Sequence, residues 1–443
     1  MTAVSRVIRE MSDRESELYR IEPTLRIFLL FCLALLSGCS SDHPLMPTPN
    51  LYTDPGVYPA NEIPENLRSN QVELLYVTDR TRETDQNGGT FYGAGRSTSA
   101  AYGSVVVEIG NAEPWEDLVE ASQTGKRKQE LLLRIRSVQE HARFPETPYP
   151  FSVVDGTIVE DEETRVEYEQ TADKFRRDLV ARLAGLQRKE VIVFIHGFNN
   201  TFQSSALVLA ELWHFTGRRG VPVLYSWPAA SGGLFGYFID RESGEFTIFH
   251  LKEFLRLLAD IPDIHRIHII AHSRGTDVMT TALRELVIES RAAGRNPLKD
   301  LRVANLILAA PDLDFEVVRQ RLIAEKFGPA IGRITIYTNQ EDTALNMSES
   351  LMGGTRFGRL DSEDLGQKET QIFSQVKNVH IINVEGEASF LGHSYFRDNP
   401  GVSSDLAILI RDGSEPGSEK RPLVHRILNF WDLPEGYPGQ TAQ

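Results

Sequence analysis

The sequence predicts an α/β fold in which helices cover both faces of a mostly parallel sheet. Six short runs after residue 190 are apolar nearly throughout, as in strands buried on both faces of a parallel sheet: Val191–Ile195, Val221–Tyr225, Ile267–Ala271, Val303–Ala309, Ile334–Thr338 and Val379–Val384. Helical stretches alternate with them at Ser204–Arg218, Thr247–Ala259 and Gly275–Ala292. A chain of 443 residues, of which 41% are hydrophobic and 25% charged, suits such a core.

Composition and charge exclude several classes of protein. The 47 Lys and Arg residues against 62 Asp and Glu residues give a net charge of −15, whereas nucleic-acid binding needs a basic surface. Cys32 and Cys39 are the only cysteines, which excludes a disulfide-rich scaffold, a cysteine-based zinc site and a cysteine nucleophile in the body of the chain. His265, His268 and His380 lack metal-ligand spacing with carboxylates. We therefore expect no cofactor, no metal and no nucleic-acid partner.

The first 38 residues have the features of a lipoprotein signal peptide. Residues 27–36 form a ten-residue apolar run, which is too short to span a bilayer but typical of a signal-peptide core. The following Leu36-Ser37-Gly38-Cys39 resembles the lipobox of bacterial lipoproteins, in which the cysteine becomes lipidated. An ordinary signal peptide and an N-terminal anchor helix are the alternatives. Because Ser40 rather than Asp follows the cysteine, we expect a lipid-anchored protein of the cell envelope, in the outer membrane and facing the periplasm.

A tether and an extension precede the regular α/β pattern. Residues 39–70 contain six prolines among mostly polar residues, which predicts a stiff, extended tether. Residues 71–189 are expected to form an N-terminal extension packed on the core, with strands at Val72–Thr78 and Ser104–Ile109. A helix is predicted over Thr164–Leu186, and Pro114–His141 is expected to be partly helical.

Residues 271–275 have the pattern of a nucleophile elbow. The sequence Ala271-His272-Ser273-Arg274-Gly275 follows a predicted strand and opens a predicted helix, and it matches G-x-S-x-G with alanine in the first glycine position. The turn requires small residues two positions before and after the serine, and alanine adds only a methyl group. Such a turn would point the Ser273 hydroxyl outward and leave the Arg274 amide at the helix N-terminus, where it can meet an oxyanion.

A second predicted strand ends in a loop suited to complete an oxyanion hole. The segment Phe194–Asn200 contains Gly197, which permits close approach of the backbone. We expect the second oxyanion amide to come from Phe198 or Asn199. His196 in the same segment is interpreted as a structural histidine rather than a catalytic one.

An acid and a histidine must follow the serine in chain order. His393 follows the last predicted strand and is the expected general base, and Asp342, in the loop after Ile334–Thr338, is the expected acid that orients it. Asp312 and Asp314, one strand earlier, are the alternative acids. Their other interpretation is capping of a helix that begins near Phe315.

One further loop has two interpretations. Trp227-Pro228 leads into residues 229–238, which combine three glycines with three aromatic residues. This loop could form a wall of a substrate pocket above the sheet, or it could be an ordinary flexible connection.

The chain resembles the α/β-hydrolases, and more narrowly a bacterial branch catalogued as a domain of unknown function. The segments that carry the resemblance are Tyr76-Val77-Thr78-Asp79-Arg80, Tyr102-Gly103, Phe194–Asn200, Ser226-Trp227-Pro228, Tyr237 with Asp240, Ala271–Gly275, Ala310-Pro311-Asp312, Tyr337–Leu345 and His393-Ser394. The resemblance spans roughly residues 70–400 and implies an α/β-hydrolase fold, with the core at 190–400 and Ser273, Asp342 and His393 as a triad. It indicates little about the substrate. Residues 401–443 are expected to form a C-terminal helical tail.

Together these features predict a membrane-tethered serine hydrolase that acts on a small-molecule or lipid-like carboxylic ester. Two other hypotheses stay open. The chain could be a non-catalytic envelope lipoprotein that uses the fold for binding, because a fold alone does not establish an activity. It could also be a serine peptidase or a thioesterase, which use the same three residues with a different pocket.

Overall fold

A twelve-stranded sheet dominates the computed structural model, which describes residues 43–54, 56–84, 88–111, 114–385 and 392–439. The predicted signal peptide at residues 1–38 and the predicted lipidation site Cys39 lie outside the described residues. The strands are β1 (His43–Pro44), β2 (Gln71–Thr84), β3 (Thr90–Ile109), β4 (Leu132–Arg143), β5 (Phe151–Val154), β6 (Thr157–Glu160), β7 (Glu190–Ile195), β8 (Val221–Ser226), β9 (Arg266–His272), β10 (Val303–Ala309), β11 (Arg333–Thr338), β12 (Val379–Val384), β13 (Val424–Ile427) and β14 (Phe430–Leu433).

The large sheet has the order β1-β4-β3-β2-β8-β7-β9-β10-β11-β12-β14-β13, and β5 and β6 form a separate hairpin. Strands β2 and β7–β12 run parallel to one another, and β14 continues them beside β12. Strands β1, β3, β4 and β13 pair in the antiparallel sense. All six residues of β7 and of β8 are buried, as the continuous apolar runs predict. The predicted α/β-hydrolase fold, with a strand-bearing N-terminal region, is confirmed.

Helices cover both faces of the sheet. The α-helices are α1 (Trp115–Ala121), α2 (Glu162–Ala184), α3 (Phe202–Phe215), α4 (Gly233–Ala259), α5 (Gly275–Ala292), α6 (Pro297–Leu301), α7 (Phe315–Val318), α8 (Thr343–Met352), α9 (Gln367–Gln375), α10 (Tyr395–Asp398) and α11 (Pro400–Asp412). Helices α2, α4 and α5 bury their apolar sides in the core on one face, whereas α3, α10 and α11 do so on the other. Among the described residues, none of the helices is long and apolar enough to cross a membrane.

The N-terminal extension shares the sheet of the core. Strand β2 pairs with β8 through Leu75–Thr78, so β2, β3 and β4 continue the central sheet. In the region Pro114–His141, which was expected to be partly helical, Trp115–Ala121 form helix α1, whereas the residues from Leu132 onward belong to strand β4. Alternation of apolar and polar residues in β4 suits a strand with one solvated face, and pairing with β3 decides its conformation.

The segment predicted to be a tether is folded onto the domain from residue 43 onward. Five of its apolar side chains are at most 5% exposed and belong to the core on the α3 side: Leu45, Met46, Tyr52, Tyr58 and Ile63. Three 3-10 turns follow prolines in this segment, at Asn50–Tyr52, Ala60–Glu62 and Glu65–Leu67. Burial of these apolar residues makes the described part of the segment a packed strap instead of the expected extended tether.

The C-terminal region also differs from the expected helical tail. Helix α11 is followed by strands β13 and β14, and β14 adds to the edge of the large sheet. A buried ion pair holds this region: the Arg421 guanidinium donates from Nε and Nη2 to the two carboxylate oxygens of Asp405 at 2.8 and 2.7 Å. Each strand is only four residues long, so its conformation depends on pairing that no local pattern records.

Candidate active site

Ser273 occupies a tight turn between strand β9 and helix α5. Its backbone φ of 52° lies in the left-handed region, which is uncommon for a residue with a side chain. Two glycines make room for the turn. A Cβ atom on Gly275 would overlap the His196 carbonyl oxygen, and one on Gly197 would lie 2.7 Å from the Ser273 Cβ. The small-residue requirement of the predicted elbow therefore has a direct steric cause.

His393 lies between Ser273 and Asp342. Its Nε2 is 2.7 Å from Ser273 Oγ, and its Nδ1 is 2.8 Å from Asp342 Oδ2. The three residues follow β9, β11 and β12, whose carboxyl ends lie at one edge of the sheet because these strands are parallel. The structure thus brings together the three side chains that the chain order indicated.

Both carboxylate oxygens of the buried Asp342 have partners. Oδ1 accepts a hydrogen bond from the Leu345 amide at 2.9 Å as the N-cap of helix α8, and Oδ2 faces His393 Nδ1. The cap fixes the orientation of the carboxylate. An ionised carboxylate only accepts hydrogen bonds, so the ring must carry a proton on Nδ1, which leaves Nε2 of the neutral ring able to accept the Ser273 proton.

The electrostatic environment favours a positive charge on His393. Burial lowers the pKa of His393, but the Asp342 carboxylate and the charge of Asp312 more than offset this, so that its pKa is raised above the usual 6.5. The ring of His272 lies beside it, with centroids 4.9 Å apart. Burial and the charge of His393 hold the pKa of His272 well below the usual range. A proton taken up here therefore resides on His393.

Two backbone amides near Ser273 are candidates for an oxyanion hole. Among the described residues, neither the Phe198 amide nor the Arg274 amide has a hydrogen-bond acceptor. The Asn199 amide was the alternative to the Phe198 amide in the sequence analysis. It donates to Asp240 Oδ2 at 3.0 Å and is therefore engaged. Arg274 immediately precedes helix α5, whose N-terminus carries a partial positive charge. The Phe198 and Arg274 amides thus remain able to bind an oxyanion.

The alternative acids are engaged elsewhere. The two carboxylate oxygens of Asp312 each accept a hydrogen bond at 2.7 Å, one from the Tyr237 hydroxyl and one from the Ser348 hydroxyl. Asp314 accepts a hydrogen bond from the Val317 amide as the N-cap of α7. Asp312 therefore acts on His393 only through its charge. Asp314 caps helix α7, which was the second interpretation of its position in the sequence.

A buried arginine, Arg80 of strand β2, holds the loop that contains Phe198. Its guanidinium donates to the carbonyl oxygens of Asn200 at 2.7 Å, Ala229 at 2.8 Å and Gly93 at 3.1 Å, and to the Ser226 hydroxyl at 2.8 Å. Burial lowers the pKa of Arg80 to about 9, although neighbouring carboxylates raise it. No role for Arg80 was predicted from the sequence. The available signal was a charged residue two positions after the apolar run Val72–Thr78.

His196 has a packing role beside this arginine. Its ring stacks on Trp227 with centroids 5.2 Å apart, and Trp227 Nε1 donates to the His196 carbonyl oxygen at 2.8 Å. Burial and the Arg80 charge lower the pKa of His196 well below the usual range. The ring is therefore neutral and can accept a hydrogen bond from Arg80 Nη2, which lies 3.2 Å from its Nε2.

The segment 229–238 packs against the loop that contains Phe198. Helix α4 begins within it, at Gly233, and the Tyr237 ring contacts Phe198 edge-on with centroids 5.4 Å apart. Phe235 and Phe238 on the same helix are 80% and 44% exposed. Asp240 joins the segment to the Phe198 loop, because it also accepts from the Ala230 amide at 3.2 Å. Of the two interpretations, the structure favours a wall of the site.

Comparison with known families agrees with this arrangement. A family described as alpha/beta hydrolase of unknown function (DUF900) matches residues 171–412, which is more than half of the chain and includes Ser273, Asp342 and His393. The chain belongs to this family. A search of curated proteins finds no match to this DUF900 member. Within its described residues, no cluster of three or more His, Cys, Asp or Glu side chains could hold a metal ion.

Proposed function

We propose that this protein is a serine hydrolase that cleaves carboxylic esters through an acyl-enzyme. Ser273 is the nucleophile, His393 the general base and Asp342 the acid that orients it. The contact from Asp342 through His393 to Ser273, at 2.8 and 2.7 Å, carries the proposal. A nucleophile, a base and an orienting group within hydrogen-bond distance are the arrangement that nucleophilic acyl transfer requires.

The proposed reaction proceeds in two halves. Ser273 Oγ forms a bond to the ester carbonyl carbon as His393 Nε2 takes the hydroxyl proton, and the carbonyl oxygen becomes an oxyanion bound by the Phe198 and Arg274 amides. The carbon–oxygen bond to the alcohol then breaks, and the alcohol leaves with the proton from His393. Water attacks the acyl-enzyme with the same base, releases the carboxylic acid and restores Ser273.

Carboxylic esters are the substrate class that we favour. The aromatic rings of Phe198 and Tyr237 pack against each other beside the loop that approaches Ser273, and an apolar acyl or alcohol group would suit such a surface. Thioesters and peptides remain the classes against which this proposal is to be tested.

We also propose that the protein is lipid-anchored at Cys39 in the cell envelope. Strand β1 begins at His43 and pairs with the start of β4. The start of β4 lies at the same end of the sheet as the first residues of the parallel strands. Ser273 lies at the opposite end of the sheet, where the parallel strands finish. A lipid on Cys39 would therefore attach the domain at the end where the strands begin, and the proposed active site would face away from the membrane.

A labelling experiment tests the nucleophile. A fluorophosphonate probe should label the wild-type protein and the Ser350→Ala control, whose serine is exposed on α8, but not Ser273→Ala. Absence of labelling in the wild type, or labelling that persists in Ser273→Ala, would contradict the assignment.

A substrate panel tests the class of reaction. Initial rates on p-nitrophenyl esters of increasing acyl length should exceed those on matched acyl thioesters and peptide anilides. Faster turnover of the thioesters or peptides would replace the proposed substrate class while keeping the mechanism. Labelling without turnover of any class would favour a binding protein. Release of the protein from membranes by Cys39→Ala, measured after fractionation, tests the anchor separately.

A further inference from the structure

A cavity lies away from Ser273, on the face of the sheet covered by helices α4 and α5. It has a volume of about 140 Å³. Its floor is formed by side chains of β10, β11 and β12, namely Leu308, Ile334, Ile336 and Val379. Of the fifteen lining residues, fourteen are apolar, glycine or proline. For comparison, an engineered cavity of about 150 Å³ with a similar lining stays free of water and binds benzene.

The cover of this cavity is irregular. Helix α7 has only four residues and continues into a π-helical turn, Arg319–Ile323, which carries the half-buried Leu322 and Ile323 over the cavity. Single π-helical turns occur often at functional sites, since they cost backbone stability and persist where a side chain must be placed. Lys326, three residues later, has a left-handed φ of 58°. The cover therefore combines two unusual backbone conformations within eight residues of chain.

One charged side chain lines the cavity. Lys326 is exposed, and among the described residues it has no carboxylate within ion-pair distance. The nearest acid in sequence, Glu325, is paired with Arg284 through two hydrogen bonds. The cavity therefore combines an apolar interior with an ammonium group at its solvent side, which is complementary to an amphiphile with an anionic head.

The cavity is separate from the proposed catalytic site. Phe357 lines the cavity, while the preceding residue, Arg356, lies 3.8 Å from the Asp312 carboxylate beside the catalytic site. The Phe357 amide donates to the Leu313 carbonyl oxygen at 2.7 Å, and the Gly358 amide to that of Pro311 at 2.9 Å. This layer of hydrogen-bonded backbone lies between the two sites, so a molecule in the cavity does not occupy the position of the substrate.

We propose that this cavity, lined by Leu308, Ile336 and Phe357, is a second binding site that takes the alkyl chain of a medium-chain fatty acid, with its carboxylate on Lys326. The volume suits a chain segment of about the size of a benzene ring, and the rest of the chain extends to the ammonium group. The proposal concerns binding alone and does not depend on hydrolysis at Ser273.

Calorimetric titration of the full-length Ser273→Ala protein with octanoate tests the proposal. The variant lacks the proposed nucleophile, so the measured heat reports binding and not hydrolysis. We expect saturable binding of one equivalent that strengthens from butanoate to hexanoate to octanoate, by up to about fourfold per buried methylene. Octan-1-ol should bind more weakly than octanoate. Binding that is absent at millimolar octanoate, that is independent of chain length, or that is equal for the alcohol would overturn the proposal.

Two variants locate the binding. Lys326→Gln should weaken octanoate binding by about two- to fivefold, as for an exposed ion pair, whereas Lys299→Gln, an exposed lysine on α6, should not. Val376→Phe replaces an isopropyl group with a phenyl ring that fills part of the cavity, and it should abolish binding. The melting temperature of this variant establishes that the protein is folded. Undiminished binding in a folded Val376→Phe protein would place octanoate elsewhere and overturn the proposal.

Discussion

Asp342 divides its carboxylate between two partners: Oδ2 lies 2.8 Å from His393 Nδ1, and Oδ1 accepts the Leu345 amide at the start of helix α8. The same group therefore caps a helix and orients the imidazole. A helix cap restricts the carboxylate to one rotamer, and this rotamer holds the ring toward Ser273. The rigidity that the proposed catalysis requires is thus available from the N-cap of a helix.

Asp342→Asn is expected to lower kcat for an aryl ester by about 10³- to 10⁴-fold, because an amide at this position stabilises the wrong tautomer of His393. Asp312→Asn should cost much less, because Asp312 bonds to Tyr237 and Ser348 instead of the imidazole. Steady-state kinetics of the two variants measure the difference. A larger loss in Asp312→Asn would assign the acid to the earlier strand.

Activity should fall as the pH falls through the pKa of His393. The neutral ring is the base, so protonation removes activity, and the raised pKa places the midpoint of kcat/KM above pH 6.5. Asp312→Asn removes a charge that raises this pKa and should move the midpoint to lower pH, while Asp260→Asn, at an exposed position, should not. The pH profiles of the three proteins test this. An unchanged or higher midpoint in Asp312→Asn would contradict the electrostatic account.

Gly197→Ala should abolish most of the activity while the protein remains folded. The new methyl group would lie 2.7 Å from the Ser273 Cβ, so the elbow or the Phe198 loop must shift, and small displacements of catalytic groups cost about 10²-fold in rate. Gly185→Ala is the matched control, because nothing lies within 4 Å of its Cβ position. Rates and circular dichroism of both variants provide the measurement. Full activity in Gly197→Ala would show that this close approach is unimportant.

Arg80→Gln should reduce both stability and activity. The shorter side chain leaves buried carbonyl oxygens such as those of Asn200 and Ala229 without donors, at about 1–3 kcal/mol for each group left unpaired. Because the Phe198 loop then loses its support, we expect kcat to fall by about tenfold or more in the fraction that is folded. Arg82→Gln, on the same strand but exposed, is the control. Denaturant unfolding and kcat per folded molecule separate the two effects, and equal kcat in both variants would exclude a positioning role for Arg80.

The local pattern of apolar residues was sufficient to predict most strands of the core. The apolar runs from Val191 to Val384 predicted six buried parallel strands, since a strand covered on both faces must be apolar at successive positions. The elbow around Ser273 was equally local, because its backbone needs small residues at fixed positions. Arg80 could not be assigned a role in the same way, as its partners lie 13 to 149 residues away in the chain.

By itself, the sequence determined the fold class and the position of the elbow serine, and it indicated the order of the residues proposed to act with it, because these depend on short-range periodicity and on the steric limits of one turn. Only the tertiary structure decided that Asp342 and not Asp312 contacts His393. It also decided that residues 43–54 and 56–70 pack as a strap and that the C-terminal residues add two strands. Each of these outcomes depends on which distant surfaces meet, and burial and strand pairing between distant segments leave no periodic pattern in either partner alone.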